Sequence, residues 1–381
     1  MDVVLQQSGP GGAGDGGDIL GQRALGRATL ARQMLLRRHQ LSVSQALEHL
    51  IGLQAQAADP PYIGLWTRLE GFAFEDLSAL MIERKAARSA LMRGTLHLAT
   101  AQDILKLRPI LQSVFDRALR ANHGRHLIGL DLSGVAAAAR DILGAEPLTY
   151  AALGKALQKR WPERNADALA AVARNCEALV QAPPTLWGGG AAPKVATARN
   201  WLGKPRGAAG DAQSLVLRYL AAFGPASVAD MRAWSGLTGL AEIVATLKPQ
   251  LRLFRSESGA ELFDLPDAPR PDPETPAPAR LLPGFDNLIL SHADRSRFLA
   301  VHHRAHIATT NGIFHPTLLI DGRIGGIWKI EVGKNKASIE MAPFARLTQS
   351  QRDALQNEAA ALLKAAAARA PDHDVRFARP S

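Results

Sequence analysis

Cysteine is nearly absent: one residue in 381, Cys176. That excludes an intramolecular disulfide and any thiolate metal cluster. Its setting, Ala173-Arg174-Asn175-Cys176-Glu177, reads as helix interior and so as a packed thiol, not a nucleophile. Aromatic residues are scarce at 5%, so the core must be mostly aliphatic. No apolar run approaches the roughly 18 residues of a membrane-crossing helix, and no membrane partner is expected. The Gly-rich start, with Asp15 and Asp18, lacks the basic and apolar regions of a signal peptide and reads as a disordered tail over residues 1–21. No Walker or dinucleotide glycine motif occurs, and Gly188-Gly189-Gly190 before Ala-Ala-Pro reads as a turn rather than a phosphate cradle. His302, His303 and His306 have no acidic or cysteine set nearby, so neither a metal nor a cofactor is expected.

What the chain has is basic charge. Lys and Arg number 45 against 35 Asp and Glu, a net charge of +10. That imbalance concerns partners, not fold, and favours a polyanion, nucleic acid before anionic membrane. The excess includes Arg174, Lys194, Arg199 and Lys204 in residues 151–260. Hydrophobic content of 47% supports a globular protein, and the length implies two to four domains.

The fold class expected is mainly α with small β wings, an α+β protein of tandem winged-helix modules plus a C-terminal β module closed by a helix. The clearest signal lies at 209–265. A helix through Leu215 to Tyr219 is broken by Gly224-Pro225, and Ser227-Val228-Ala229-Asp230 caps a second helix ending near Trp234. Ser235-Gly236-Leu237 turns, Thr238 starts a third helix, and Leu251–Phe254 with Glu261–Phe263 form a hairpin. Helix, helix-turn-helix, hairpin is a winged helix. Fainter copies are read at 22–140 and 141–208. In the first, Ser42-Val43-Ser44-Gln45 caps a helix that runs out near Gly52 to Gln56, and Met92 to Leu98 has the period of a strand with Arg93, Thr95 and His97 on one face. Prolines crowd 266–283, marking an extended linker or surface strap. In the last segment, 284–381, Asp321-Gly322 sets a hairpin, a third strand follows the Gly333-Lys334-Asn335 turn, and Thr348 starts a terminal helix.

Within this outline several stretches carry a resemblance: Leu53-Gln54-Ala55-Gln56, Met92-Arg93-Gly94-Thr95-Leu96-His97, Trp187 to Gly190 before Trp201, Leu282-Pro283-Gly284-Phe285-Asp286-Asn287, His292-Ala293-Asp294-Arg295, and Asp321-Gly322 to Trp328. Together, over about residues 22 to 370, they resemble the AlkZ/YcaQ-type winged-helix proteins, a bacterial family that includes DNA glycosylases acting on alkylated and crosslinked guanines. The resemblance implies a C-shaped stack of winged helices with a basic concave face. It also implies a catalytic Gln, aliphatic, Gln motif, here Gln54-Ala55-Gln56, with the second Gln distinguishing the AlkZ branch from the Asp of the YcaQ branch. Ala55 is small for the middle position.

Two carboxamides can suffice for that chemistry. N7-alkylation makes guanine a cationic leaving group, leaving an oxocarbenium-like sugar to be met by water. Gln54 and Gln56 would position that water without removing a proton, and undamaged bases would not react. Asp59, a potential general base, reads more readily as a turn residue before Pro60-Pro61. Arg93, Thr95 and His97 have two readings: DNA phosphate ligands, with His97 alternatively orienting a glutamine, or a half-exposed wing strand. His292, Asp294 and Arg295 are read as a charged loop tying the β module to the helices, against a metal or catalytic reading. Either a wing or the turn carrying Lys334 and Lys336 is expected to probe a DNA groove. The expected enzyme is a cytoplasmic, nucleoid-associated monomer on alkylated or crosslinked double-stranded DNA. The alternative is a non-enzymatic winged-helix DNA-binding regulator, for which a dimer would be usual, whereas this chain carries its modules in tandem and shows no heptad seam.

Overall fold

The computed structural model describes residues 18–190, 192–207 and 210–378. It is 45% helical and 18% strand. The sequence-read third module is laid out as helices Ala212–Phe223, Val228–Ser235 and Leu240–Leu247, then a hairpin of Arg252–Ser256 and Glu261–Asp264. Ser227 and Asp230 form the capping box that starts the middle helix, and Gly236 ends it with a left-handed φ of 79°. That conformation is costly for any residue with a Cβ.

Two features redraw the module edges. Ile19–Leu20, assigned to the tail, pair in parallel with Arg255–Ser256 and extend the wing, while residues 1–17 lie outside the described residues. The first helix, Gln22–Arg32, docks on the third module, far along the chain from its neighbours in sequence. Thr29 Oγ1 donates to the Phe223 carbonyl, Gln33 Nε2 to the Ala222 carbonyl, and Arg32 forms a fully buried bidentate pair with Asp264.

The wings of the first two modules merge into one five-stranded sheet, in the order Leu53–Gln54, Leu96–Thr100, Ala86–Ala90, Leu179–Gln181, Val195–Thr197. Helices Leu132–Ala145, Tyr150–Gln158 and Ala166–Cys176 pack Val135, Leu153, Leu169 and Val172 into the second module's core. The C-terminal sheet is also five-stranded, ordered Asp372–Phe377, Lys336–Pro343, Arg323–Val332, Thr317–Ile320, Arg280–Leu282, and covered by helix Gln349–Ala366. Its last strand belongs to the proline-rich stretch, so residues 266–283 form a strap that ends in the sheet, not a free linker.

The cores run across module edges. Tyr62, Trp66 and Leu77 of the first module share one cluster with Trp328, Ile339 and Leu362 of the last. Leu91 and Phe115 share another with Tyr219 and Trp234 of the third. Strand Leu53–Gln54 therefore sits where three modules meet.

Candidate active site

Gln54-Ala55-Gln56 is not the end of a helix. The capped helix is Val43–His49, and Ile51 and Gly52 turn the chain with φ of 55° and 82° before Leu53–Gln54 pairs as a strand with His97 and Leu98. The turn is needed because Gly52 lies against the Leu98 carbonyl, where a Cβ would come within 2.7 Å. Asn287 holds the same turn from the C-terminal module: its Nδ2 donates to the Gly52 carbonyl at 2.9 Å. Asp286 beside it makes a bidentate pair with Arg68, both fully buried, at 2.8 and 2.9 Å. The Gly284-Phe285-Asp286-Asn287 motif is thus a brace for the glutamine strand.

The backbone on the other side is clamped by Arg88. From strand Ala86–Ala90 its Nε and Nη2 donate to the Ala55 carbonyl at 3.0 and 2.5 Å, and Nη2 also reaches the Gln56 carbonyl at 3.2 Å. The Ala55 N–H donates to the Leu96 carbonyl. Ala55 is fully buried, which the close strand contact requires, and a larger aliphatic residue would need space there. Gln56 then emerges exposed, with no side-chain partner among the described residues.

Gln54 is buried and its amide is oriented. Arg93 Nη2 donates to Gln54 Oε1 at 2.5 Å. A guanidinium can only donate, so the oxygen must face Arg93 and the Nε2 group faces away. Nε2 has no partner among the described residues. Arg93 itself is anchored to the Trp234 carbonyl at the end of the third module's middle helix. Burial and the neighbouring Arg295 push its guanidinium down to about 10, so it stays charged at neutral pH.

This corrects the strand reading of Met92 to Leu98. Met92–Gly94 form a short 3-10 turn with Arg93 at a left-handed φ of 57°, and the strand starts only at Leu96. Arg93, Thr95 and His97 do not share an outer face. Arg93 points inward, Thr95 Oγ1 donates to the Met92 carbonyl, and His97 is buried opposite Gln54 in the antiparallel register. Neither phosphate contact by this trio nor a half-exposed strand describes it, while the other reading, His97 beside a glutamine, agrees with its place opposite Gln54. Residues directly opposite across a ladder share a face, so His97 is a neighbour of the Gln54 side chain. Its Nδ1 lies 2.9 Å from the Thr95 carbonyl, which only accepts, so Nδ1 carries the proton. Burial and then Arg93 hold its pKa down to about 3, leaving a neutral ring whose Nε2 is an acceptor.

Asp59 follows the motif at the start of helix Pro60–Trp66. Its Oδ1 accepts the Gly188 N–H at 2.9 Å, tying the first module to the loop before the second module's last strand. Burial raises its pKa, opposed by that bond and by Arg88. In the same loop Trp187 packs on Tyr62 and Phe74 and donates through Nε1 to the Ala366 carbonyl. The Trp187 to Gly190 stretch is therefore a joint between the first, second and C-terminal modules.

The remaining DNA candidates scatter more widely. Arg174, Lys194, Arg199 and Lys204 are all exposed, with Arg174 lying over the Tyr150 ring. Lys334 is exposed at the tip of the Arg323–Val332 and Lys336–Pro343 hairpin, whereas Lys336 is drawn to Asp374 at 3.3 Å and Asp372 at 3.7 Å. His292 is buried and held neutral by that burial; its Nε2 donates to the Phe223 carbonyl, so the loop is tied to the third module's helix, but not by a charge on this ring. Sequence reasoning missed Arg88 and gave Asn287 no task. The available signal for Arg88 was an arginine inside the small apolar strand Ala86-Ala87-Arg88-Ser89-Ala90, where a charge needs a dedicated partner.

Among the described residues no group of His, Cys, Asp and Glu is placed to hold a metal, and no helix is long and apolar enough to cross a membrane. A tandem winged-helix protein with a C-terminal β module, its modules converging on a braced pair of glutamines, is the class defined by these features. Residues 47–365 match the family model described as DNA glycosylase AlkZ-like, and the chain belongs to that family. A curated relative, an interstrand DNA cross-link repair glycosylase of Streptomyces sahachiroi, is 28% identical over a stretch covering 40% of this chain and 42% of its own length. The matched stretch therefore spans less than half of that relative. The solved structure of the Streptomyces sahachiroi DNA glycosylase AlkZ superposes with a TM-score of 0.77 at 20% identity, covering 94% of this chain and all of that one. At that identity the likeness speaks for the fold.

Proposed function

We propose that this protein is a monofunctional DNA glycosylase that hydrolyses the N-glycosidic bond of N7-alkylated purines, including bulky or interstrand-crosslinked adducts, in double-stranded DNA. The observation that carries the reading is the locked amide of Gln54: a buried carboxamide with its oxygen pinned by Arg93 and its N–H₂ presented outward. Fixed dipoles of this kind stabilise a developing charge distribution without reorganising during the reaction.

The division of labour follows from donor and acceptor inventories. Gln54 offers Nε2 as a donor to the attacking water or a sugar oxygen. Gln56, with no competing side-chain contact, offers Oε1 to accept from the water. Neither takes a proton: as the bond from C1′ to the cationic base breaks, the base leaves neutral, water bonds to C1′, and its surplus proton passes to solvent, so the pair acts by positioning. That is adequate only where the leaving base already carries positive charge, which confines the activity to N7-alkylated purines. The exposed lysines and arginines supply sequence-independent phosphate binding, in a chain that works as a monomer and, by its substrate, at the nucleoid.

The test is base release from duplex DNA carrying N7-methylguanine. The parent should release the modified base and leave an abasic site, while Gln54→Ala should bind the duplex as the parent does and release little. Undiminished release by Gln54→Ala would remove the proposed site. Persistent binding with no release from methyl or bulkier N7 adducts would favour a DNA-binding protein without activity.

A further inference from the structure

Buried and half-buried arginines elsewhere in this protein have hydrogen-bond partners: carboxylates for Arg32, Arg68 and Arg218, and carbonyl or neutral side-chain oxygens for Arg88, Arg108 and Arg297. Arg32 has Asp264, Arg68 has Asp286, and Arg218 has Asp103 in a bidentate pair at 2.7 and 2.8 Å. Around Gln54 no arginine is ion-paired among the described residues, and one of them has no hydrogen-bond partner. Arg93 is bound only by the neutral oxygens of Gln54 and Trp234, and Arg117 donates to the Gly236 carbonyl. Arg295, of the His292-Ala293-Asp294-Arg295 motif, has no hydrogen-bond or carboxylate partner among the described residues, and its Nε is fully shielded from solvent.

Position relates these groups. The Ala293 and Asp294 N–H groups are bound by Asp230, on the same helix whose last turn offers Trp234 to Arg93. Arg295 and Arg93 therefore flank one helix. Arg295 lies over the Phe314 ring at 5.4 Å, and Phe314 in turn packs on Phe285, so its direction is set by packing and not by an ion pair. Arg304 is exposed beyond it, and the like charges press on one another: the Arg295 guanidinium is depressed by burial and then by Arg304, and that of Arg93 by burial and then by Arg295.

Like charges gathered with partial burial and no counter-ion are costly unless a ligand supplies the anion. We infer that Arg295, assisted by Arg304, is a binding site for a DNA backbone phosphodiester next to the reacting nucleotide. A guanidinium matches two phosphate oxygens with a parallel pair of donors. The assignment rests on the glycosylase reading for its place beside the sugar. It also removes an electrostatic conflict: a cationic N7-alkylpurine and an oxocarbenium-like sugar would be repelled by unpaired arginines, and a phosphate held there restores negative charge where the transition state needs it.

The experiment measures the salt dependence of binding to an undamaged duplex, which is independent of catalysis, for the parent, Arg295→Gln, Arg295→Lys and, as a control, Arg140→Gln, whose arginine is already neutralised by Glu177 and so is not one of the free surface cations. Losing one phosphate contact should lower the slope of log affinity against log salt by about 0.9. Arg295→Gln should show that drop with several-fold weaker binding, Arg295→Lys should keep the slope with somewhat weaker binding, and Arg140→Gln should match the parent. A slope unchanged in Arg295→Gln overturns the site. Should Arg295→Gln fail to fold, Arg295→Lys with single methylphosphonate substitutions decides: if every neutral linkage costs parent and Arg295→Lys equally, the inference is wrong. Inorganic phosphate at matched ionic strength that stabilises the parent but not Arg295→Gln, with equal DNA slopes, would assign the site to a free anion and overturn the DNA assignment. Failure of the glycosylase reading would appear separately, as absent base release with the slope change intact.

Discussion

Replacing Arg93 by Met keeps the aliphatic part of the side chain but removes its two acceptor contacts, to Gln54 Oε1 and the Trp234 carbonyl. Hydrogen bonds from a charged donor contribute about 1.5–3 kcal/mol each, and the two share one guanidinium, so the expected stability loss is about 2–4 kcal/mol. The kinetic consequence is more specific. With its oxygen unpinned, the Gln54 amide is free to turn, and Nε2 no longer faces one way. Losing a preorganised donor outright, as in Gln54→Ala, should slow base release by roughly 10²–10³-fold. Losing its orientation should cost less, about 10–100-fold. The assay is single-turnover release of N7-methylguanine at saturating protein, which separates chemistry from binding. If Arg93 acts through Gln54, the Arg93→Met/Gln54→Ala double variant should be no slower than Gln54→Ala alone, within about twofold. Losses that multiply, the additive behaviour of independent sites, would refute the clamp.

Further outcomes follow from the same geometry. Asp286→Asn should lower stability by about 3–5 kcal/mol, since it leaves Arg68 fully buried and unmatched, as thermal or denaturant unfolding would show. Asn287→Ala, which orphans the Gly52 carbonyl in the turn before Gln54, should cost about 1–3 kcal/mol and slow base release without weakening DNA binding. His97 is held neutral with a pKa of about 3 in the fold against about 6.5 when unfolded, so below pH 6.5 the unfolded chain binds a proton that the fold refuses. Stability should therefore fall as pH drops from about 6.5 toward 3, with His97 contributing up to about 1.4 kcal/mol per unit, and His97→Asn should remove that share in unfolding curves while buried His292, also held at about 3, keeps its own.

The legible parts of the sequence were those coded by local chemistry. The Ser227–Asp230 box, the Gly236 stop and the Asp321-Gly322 turn, with φ of 44° and 76°, are each specified within a few residues. Strand Asp372–Phe377 went unread because it joins Lys336–Pro343 in parallel, with a helix between them and no hairpin turn to announce it. Arg280–Leu282 was masked by the prolines before it. In the site, the two glutamines were identified by motif, but their setting was not. Arg93 turns inward because a left-handed residue, φ 57°, breaks the strand period that the alternation of Arg93, Thr95 and His97 suggested. Its partners, Gln54 and Trp234, lie 39 and 141 residues away. Contacts at such separations leave no local trace of their partner: the strand context of Arg88 calls for a partner but does not name Ala55, and nothing near Asn287 points to Gly52, 235 residues away.

The most direct measurement is release of N7-methylguanine from duplex DNA by the full chain, beside the Gln54→Ala/Gln56→Ala double variant. The account predicts release by the parent, none from undamaged guanine, and a loss of about 10²-fold or more in the variant with duplex binding retained. Equal release by parent and variant would contradict the glutamine site. No release by the parent from methylated, bulky or crosslinked N7 adducts would contradict the enzyme itself.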